Sequence, residues 1–241
     1  MTTRNFFRRV NRGLVLAGIL FIGLILYLAI GAAMFQSEIP VIEKMIHDYA
    51  EAAEDLMILP EEHQNPSVTV PMAVIDAKIK ESEPILRQYL TDVKVTQWGR
   101  PALRTVATAQ KDALESNRKA RSFVTDAGFQ ITGVKRVRRV SSNLAIADIE
   151  VRTEIDTIGS PDYILFLQQE WGRGDWDHRG PDMMVVPEYP NADKATDTFS
   201  DSDAEAETGS ITQRVTFRDV YLKKIDGTWK ISETSGSWWY H

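Results

Sequence analysis

The sequence predicts an α+β fold behind a single membrane-spanning helix. Three observations carry that expectation: an uncharged apolar run near the start, helical periodicity over residues 39–126, and strand alternation from Phe129 onward. The chain has 241 residues, and about 200 remain past the apolar run, enough for one substantial domain.

Between Arg12 and Glu38 no residue is charged. At about 1.5 Å per residue, 13–35 makes a helix about 34 Å long, enough for a hydrocarbon core of about 30 Å. Arg4, Arg8, Arg9 and Arg12 precede it, whereas Glu38, Glu43, Lys44 and Asp48 follow. The positive-inside rule therefore puts residues 1–12 in the cytoplasm and the rest of the chain outside the cell membrane. A cleaved signal peptide could be cut near Gly31, Ala32 and Ala33, but secretory apolar segments run about 7–15 residues and this one is longer. Arg8-Arg9 resembles a twin-arginine signal, yet Asn11 and Arg12 stand where that signal needs apolar residues. Four flanking arginines also oppose a buried helix of a soluble protein.

Past the span, Ile39, Ile42, Ile46, Tyr49, Ala53 and Leu56 recur at helical spacing and predict a juxtamembrane helix within 36–60. Pro40 suits a first turn, which predicts a short break after the membrane helix, and Pro60 ends the element. A second apolar face runs through Met72, Ile75, Ile79, Leu86, Tyr89 and Val93, with Pro84 expected to kink or split it after Glu83. A third helix is expected over 101–126, capped by Gly128. Gln110 and Asn117 interrupt its stripe and predict a helix that crosses the surface. The spacing also suits a coiled-coil stalk, but fewer than three heptads favour helices packed on a sheet.

From Phe129 the period becomes two. In 144–156, Ala145, Ala147, Ile149, Val151 and Ile155 alternate with Asp148, Glu150, Arg152 and Glu154, the pattern of a half-buried antiparallel strand. Its hairpin partner is 129–140, joined through Ser141-Ser142-Asn143. The closing strands are 211–225 and 228–234, around an Asp226-Gly227 turn. Val215 and Phe217 share one face but Val220 and Leu222 the other, so a β-bulge is expected near Arg218–Asp219. Residues 162–171 suit a strand or a short helix. A mobile acidic loop is expected at about 191–210, so the domain plan is a tail (1–12), a span (13–35), a juxtamembrane helix (36–60) and an extracytoplasmic α+β domain (61–241).

Charge excludes some functions. Residues 1–35 carry +4 and the remainder −10, so the body is a poor partner for nucleic acid. The chain has no cysteine, which removes disulfides, thiol catalysis and cysteine-ligated metals. No cofactor is expected. Asp175, Asp177, His178 and Asp182 are the densest group of metal-ligand types, but their spacing matches no calcium loop and zinc wants more histidine. The acidic run at Asp201, Asp203, Glu205 and Glu207 reads as a solvated segment, and Gly172-Arg173-Gly174-Asp175 as a glycine-rich turn. Lys135, Arg136, Arg138 and Arg139 read as an exposed edge strand guarded by charge, with acidic lipid heads or wall polymers as an alternative partner.

Tyr221, Leu222, Asp226, Gly227, Trp229, Lys230 and Ile231, in a strand–turn–strand that follows helices and a bulged sheet, resemble the end of the nuclear-transport-factor-two-like domain, also called SnoaL-like or cystatin-like. That resemblance implies helices packed on a curved, cone-like antiparallel sheet. It departs from the usual order, because only 93–98 can supply the strand pair expected between the second and third helices. Single-span proteins of this plan in bacterial envelopes include assembly factors of secretion and conjugation channels and accessory proteins of sporulation. The resemblance therefore implies a docking or assembly module whose partners are the membrane, other envelope proteins and a second copy of the chain.

The alternative is a ligand-binding or hydrolytic cone with a pocket at Phe217, Asp219, Tyr221 and Trp229. There Asp219, if buried among aromatics, would act as a base. None of the four histidines falls on a clear inward strand position, and no residue is assigned a catalytic role. Trp238, Trp239 and Tyr240 at the chain end suit either packing over the core or an interface.

Overall fold

The computed structural model describes residues 12–97, 99–170, 186–187 and 208–234. Two compact units divide the chain, Met1–Ile42 and Glu43–His241.

Helix α1 runs over Arg12–Glu54, with Pro40 inside it. The expected break after the span is absent. Proline removes one backbone donor, and the cost is about 3 kcal/mol in a helix interior. Here Pro40 is exposed, and one turn earlier Ser37 Oγ donates to Met34 O at 2.7 Å. Water or a neighbouring polar group can take up a carbonyl left free at an exposed proline. The helix is long and apolar enough to cross a membrane, and its apolar window is unburied.

In the second unit, Ile46, Tyr49 and Ala53 of α1 are buried. Short helical turns follow at Asp55–Met57 and Glu61–His63. Helix α2 spans Met72–Tyr89 and continues through Pro84, which is exposed, rather than splitting after Glu83. Buried Ile75 and Leu86 lie on either side of the proline and keep both halves against the core.

Helix α3, Ala102–Ala120, follows the two-residue strand β1, Arg100–Pro101. It stops earlier than residue 126. Arg121 takes the left-handed conformation at φ 53°, and its N–H reaches Asn117 O. An arginine gives no stop signal of the glycine kind, so the end is not visible in the sequence. The residues expected to finish the helix instead pair as strand, Phe123 with Ile158 and Val124 with Thr157.

Strands β2 (Phe123–Ser141), β3 (Leu144–Ile158), β7 (Thr208–Ile225) and β8 (Thr228–Thr234) build an antiparallel sheet of order β1-β8-β7-β3-β2 among the described residues. β6, Val186–Pro187, pairs with β7. The 162–171 segment is a small hairpin, β4 (Tyr163–Leu165) with β5 (Gln168–Glu170). At the β7–β8 turn both Asp226 (φ 49°) and Gly227 (φ 82°) are left-handed, the primed geometry that an Asp-Gly pair favours. Strand β7 begins at Thr208, so it takes in the last residues assigned to the acidic loop; 191–207 lie outside the described residues.

Two further expectations need correction. Residues 93–97 form no strand: 91–95 are irregular, and the next strand among the described residues is β1. Helix α3 does not cross the surface, because Gln110 and Asn117 are 1% and 5% exposed. Both interrupt the apolar stripe in order to bind backbone. Gln110 Nε2 donates to Leu56 O and Ser82 Oγ, at 2.7 and 2.8 Å. Asn117 Nδ2 donates to Asp162 O at 2.7 Å, while Asp162 N donates to Asn117 Oδ1 at 2.6 Å. Burial of such groups is tolerable only when they are paired in this way.

Candidate functional site

The pairing of β7 with β3 jumps from Phe217↔Ile149 to Val220↔Ala147, so Arg218 and Asp219 share the place of one partner residue. This is the bulge expected from the switch in apolar face. A second bulge faces it on β2, where pairing jumps from Lys135↔Asp148 to Arg138↔Ile146. Arg136 and Asp219 are both left-handed at φ 49°. That conformation costs a non-glycine residue roughly 1–2 kcal/mol.

One side chain serves both bulges. Asp148 was assigned to the polar outer face, yet it is 7% exposed. Its Oδ1 accepts from Asp219 N at 3.0 Å, and its Oδ2 accepts from Arg136 Nε at 2.5 Å. Next to it, Arg138 pairs with Asp219 at 3.1 Å, and Lys135 with Glu150 at 2.7 Å. The basic run of β2 thus lies on an outer strand of the sheet with three of its cations bridged to carboxylates of β3 and β7. Asp148 holds two strained backbones in register, and sequence alternation alone cannot distinguish it from a solvated acid.

The four residues of the expected pocket do not share one environment. Phe217 is buried, with its ring 5.6 Å from that of Phe166. Asp219 is turned out by its own bulge, with its side chain 48% exposed and engaged by Arg138. It is therefore not a carboxyl buried among aromatics, and the geometry that a buried base needs is missing. Tyr221 is half-buried and pairs with Ile146 and Glu233. Trp229 is buried, with Lys224 Nζ 5.8 Å from its ring centroid.

The aromatic residues build a core instead. Tyr49, Phe129, Phe166 and Phe217 meet around Phe166, with Tyr49 at 5.0 Å and Phe129 at 6.4 Å between ring centroids. Phe166 is left-handed at φ 53° in the β4–β5 turn. Its carbonyl accepts from Tyr49 Oη at 2.8 Å. Burial pushes the Tyr49 phenol well above its ordinary range, so it remains a donor.

Glu233 on β8 was not singled out by any sequence pattern. It is fully buried, and its carboxylate accepts from Val95 N, from Thr96 N at 2.9 Å and from Thr96 Oγ1 at 2.8 Å. Gly99 makes this fit: a Cβ there would lie 1.9 Å from Glu233 Oε2. Ser232 Oγ donates to Val93 O at 2.5 Å, and Thr91 N to Ile231 O at 3.0 Å. These bonds strap residues 91–96 along β8, in place of the strand expected there.

A cleft of about 210 Å³ lies between α2 and α3, and it is lined by none of the four expected pocket residues. Among the described residues no group of three His, Asp or Glu side chains is arranged to hold a metal ion. Asp175, Asp177, His178 and Asp182, the Gly172–Asp175 turn, the acids 201–207, and Trp238, Trp239 and Tyr240 lie outside the described residues. So do Arg4, Arg8 and Arg9, while Arg12 is the first residue of α1. Comparison with protein-family models, with curated proteins and with solved structures gives no match.

Proposed function

We propose that this chain is a single-pass membrane protein, with residues 1–12 in the cytoplasm and a nuclear-transport-factor-two-like, cone-shaped body outside. In this reading it is a docking or assembly module of an envelope complex of the secretion, conjugation or sporulation type. The observation that carries the reading is the apolar half of α1. Leu20, Phe21, Ile22 and Tyr27 are 66%, 64%, 59% and 74% exposed, a surface with no place in water at that length. The arginines on its N-terminal side supply the orientation.

The docking role rests on what the body holds. Its buried polar groups bind backbone, with the Glu233 carboxylate held by backbone N–H groups, and the carboxylates beside the two bulges are paired with arginine and lysine. Such a scaffold presents surfaces better than it moves protons. Crosslinking in intact cells, followed by native electrophoresis, tests the role. The reading predicts a discrete complex larger than the monomer, holding further envelope proteins or copies of this chain. A body that stays monomeric and uncrosslinked contradicts it.

A further inference from the structure

On the inward face of the sheet, the rows shared by β3 and β7 are apolar on either side of one polar row. Ile149 stands opposite Phe217, Val151 opposite Val215 and Ile155 opposite Ile211. Between the last two rows, Thr153 stands opposite Gln213. Thr153 is 1% and Gln213 4% exposed, so both side chains are more than nine-tenths out of water. Residues directly opposite in an antiparallel pair have Cβ atoms about 4.5–5.5 Å apart, which brings the two polar ends onto one small patch.

Gln213 Nε2 donates to Tyr163 Oη at 3.1 Å. Its carbonyl oxygen, Oε1, and the hydroxyl of Thr153 are buried, and among the described residues neither has a hydrogen-bond partner. Such groups lose their hydration without return, which is why folded proteins keep them paired. Turning the Gln213 amide over brings no relief. Oε1 would then accept from Tyr163, and Nε2 would be the group left over. The row thus holds one hydroxyl and one amide group in want of a common partner. That partner must be small, uncharged, and able both to donate and to accept. A hard cation does not fit, because it wants about six oxygens or more with carboxylates among them, and this row offers neutral ones.

We propose that Thr153 and Gln213 together form a binding site for one internal water molecule, which bridges β3 to β7. The water donates an O–H to Gln213 Oε1 and accepts the Thr153 hydroxyl proton, so both buried groups are met at once. The bridge also has a consequence for strand pairing. A shift of β7 by one residue would carry Gln213 to the outer face, and a shift by two would set it against Val151 or Ile155. Apolar rows tolerate such slips better than a directional bond does. The water therefore selects the observed register of β3 with β7.

The test uses the full chain in lipid nanodiscs and two substitutions at one position. Thr153→Val keeps the shape and removes the hydroxyl, whereas Thr153→Ser keeps the hydroxyl. Oxygen-17 relaxation dispersion should count one long-lived water fewer in Thr153→Val than in the unsubstituted chain, and the same number in Thr153→Ser. Gln213→Met, which removes the other end of the bridge, should lose the same water. In denaturant unfolding, Thr153→Val should lower the folding constant about fivefold to tenfold. An orphaned hydroxyl gives the opposite sign, because an apolar group of the same shape would then raise stability. A water count unchanged by both Thr153→Val and Gln213→Met overturns the proposal. So does a Thr153→Val chain as stable as the unsubstituted one, or more stable.

Discussion

In the N-terminal helix Leu20, Phe21 and Ile22 stand in the open, whereas in the body Ile75, Leu86, Ile149 and Ile231 are sealed from solvent. Apolar residues are equally plain in both regions, but the means of covering them differ. The helix carries an unbroken apolar surface with no protein partner on its apolar window. Its stability must come from the medium around it, since each buried Å² of such surface is worth roughly 25 cal/mol. The body supplies its own cover and uses polar side chains to decide which surfaces meet. Asn117, Gln110 and Glu233 are all buried, and each is bonded to backbone far away in sequence. Hydropathy governs the first region, and directional bonds fix the second.

Substitutions should therefore separate the two regions. The largest effect is expected from charge in the helix. Leu20→Arg with Ile25→Arg adds about 2.5–3.5 kcal/mol per residue to the cost of insertion. The doubly substituted chain should be released by alkaline extraction of membranes, while the chemical unfolding of its body stays unchanged. A simultaneous loss of body stability would join the two regions that the comparison keeps apart.

Next in size is the Glu233 strap. Glu233→Ala leaves Val95 N, Thr96 N and Thr96 Oγ1 without their acceptor and should cost about 3 kcal/mol in denaturant unfolding. Gly99→Ala should cost a similar amount, because its Cβ displaces the same carboxylate. Membrane retention should be unaffected by either. Asn117→Ala removes both bonds to Asp162 and should cost about 2 kcal/mol. A loss confined to a few tenths would show that apolar burial alone sets the body.

The smallest effect marks the other limit. Arg138 and Asp219 are paired at 3.1 Å, but their side chains are 65% and 48% exposed. Arg138→Ala should change stability by less than about 1 kcal/mol. Asp148→Asn, at the buried carboxylate between the two bulges, should cost more than Arg138→Ala in the same measurement.

How far each feature can be read from the sequence follows the same division. The apolar run, a strand over 144–156, the Asp226-Gly227 turn and the bulge at Arg218–Asp219 are local patterns, and each element stands where its pattern puts it, although Asp148 is buried on the face that the alternation leaves to solvent. The continuous helix through Pro40 is not readable, because proline signals a break and only the finished helix shows it tolerated. The end of α3 is hidden by an arginine in a conformation usually left to glycine. Glu233 meets Thr96 across 137 positions, and Asn117 meets Asp162 across 45. At those separations a buried latch looks like any polar residue. At Asp219 two local signals compete: alternation puts it on the face of Phe217, whereas the bulge expected at Arg218–Asp219 turns it to solvent, and its side chain is half-exposed beside Arg138.

The central claim is that α1 crosses the bilayer with the body outside. The chain has no cysteine, so a single introduced one gives a background-free label. Ser142→Cys, at the exposed β2–β3 turn, and Thr2→Cys, ahead of the arginines, are each treated in intact cells with a membrane-impermeant maleimide. The account predicts that position 142 is labelled at once and position 2 only after lysis. Labelling of position 2 in intact cells, with 142 protected until lysis, would contradict it.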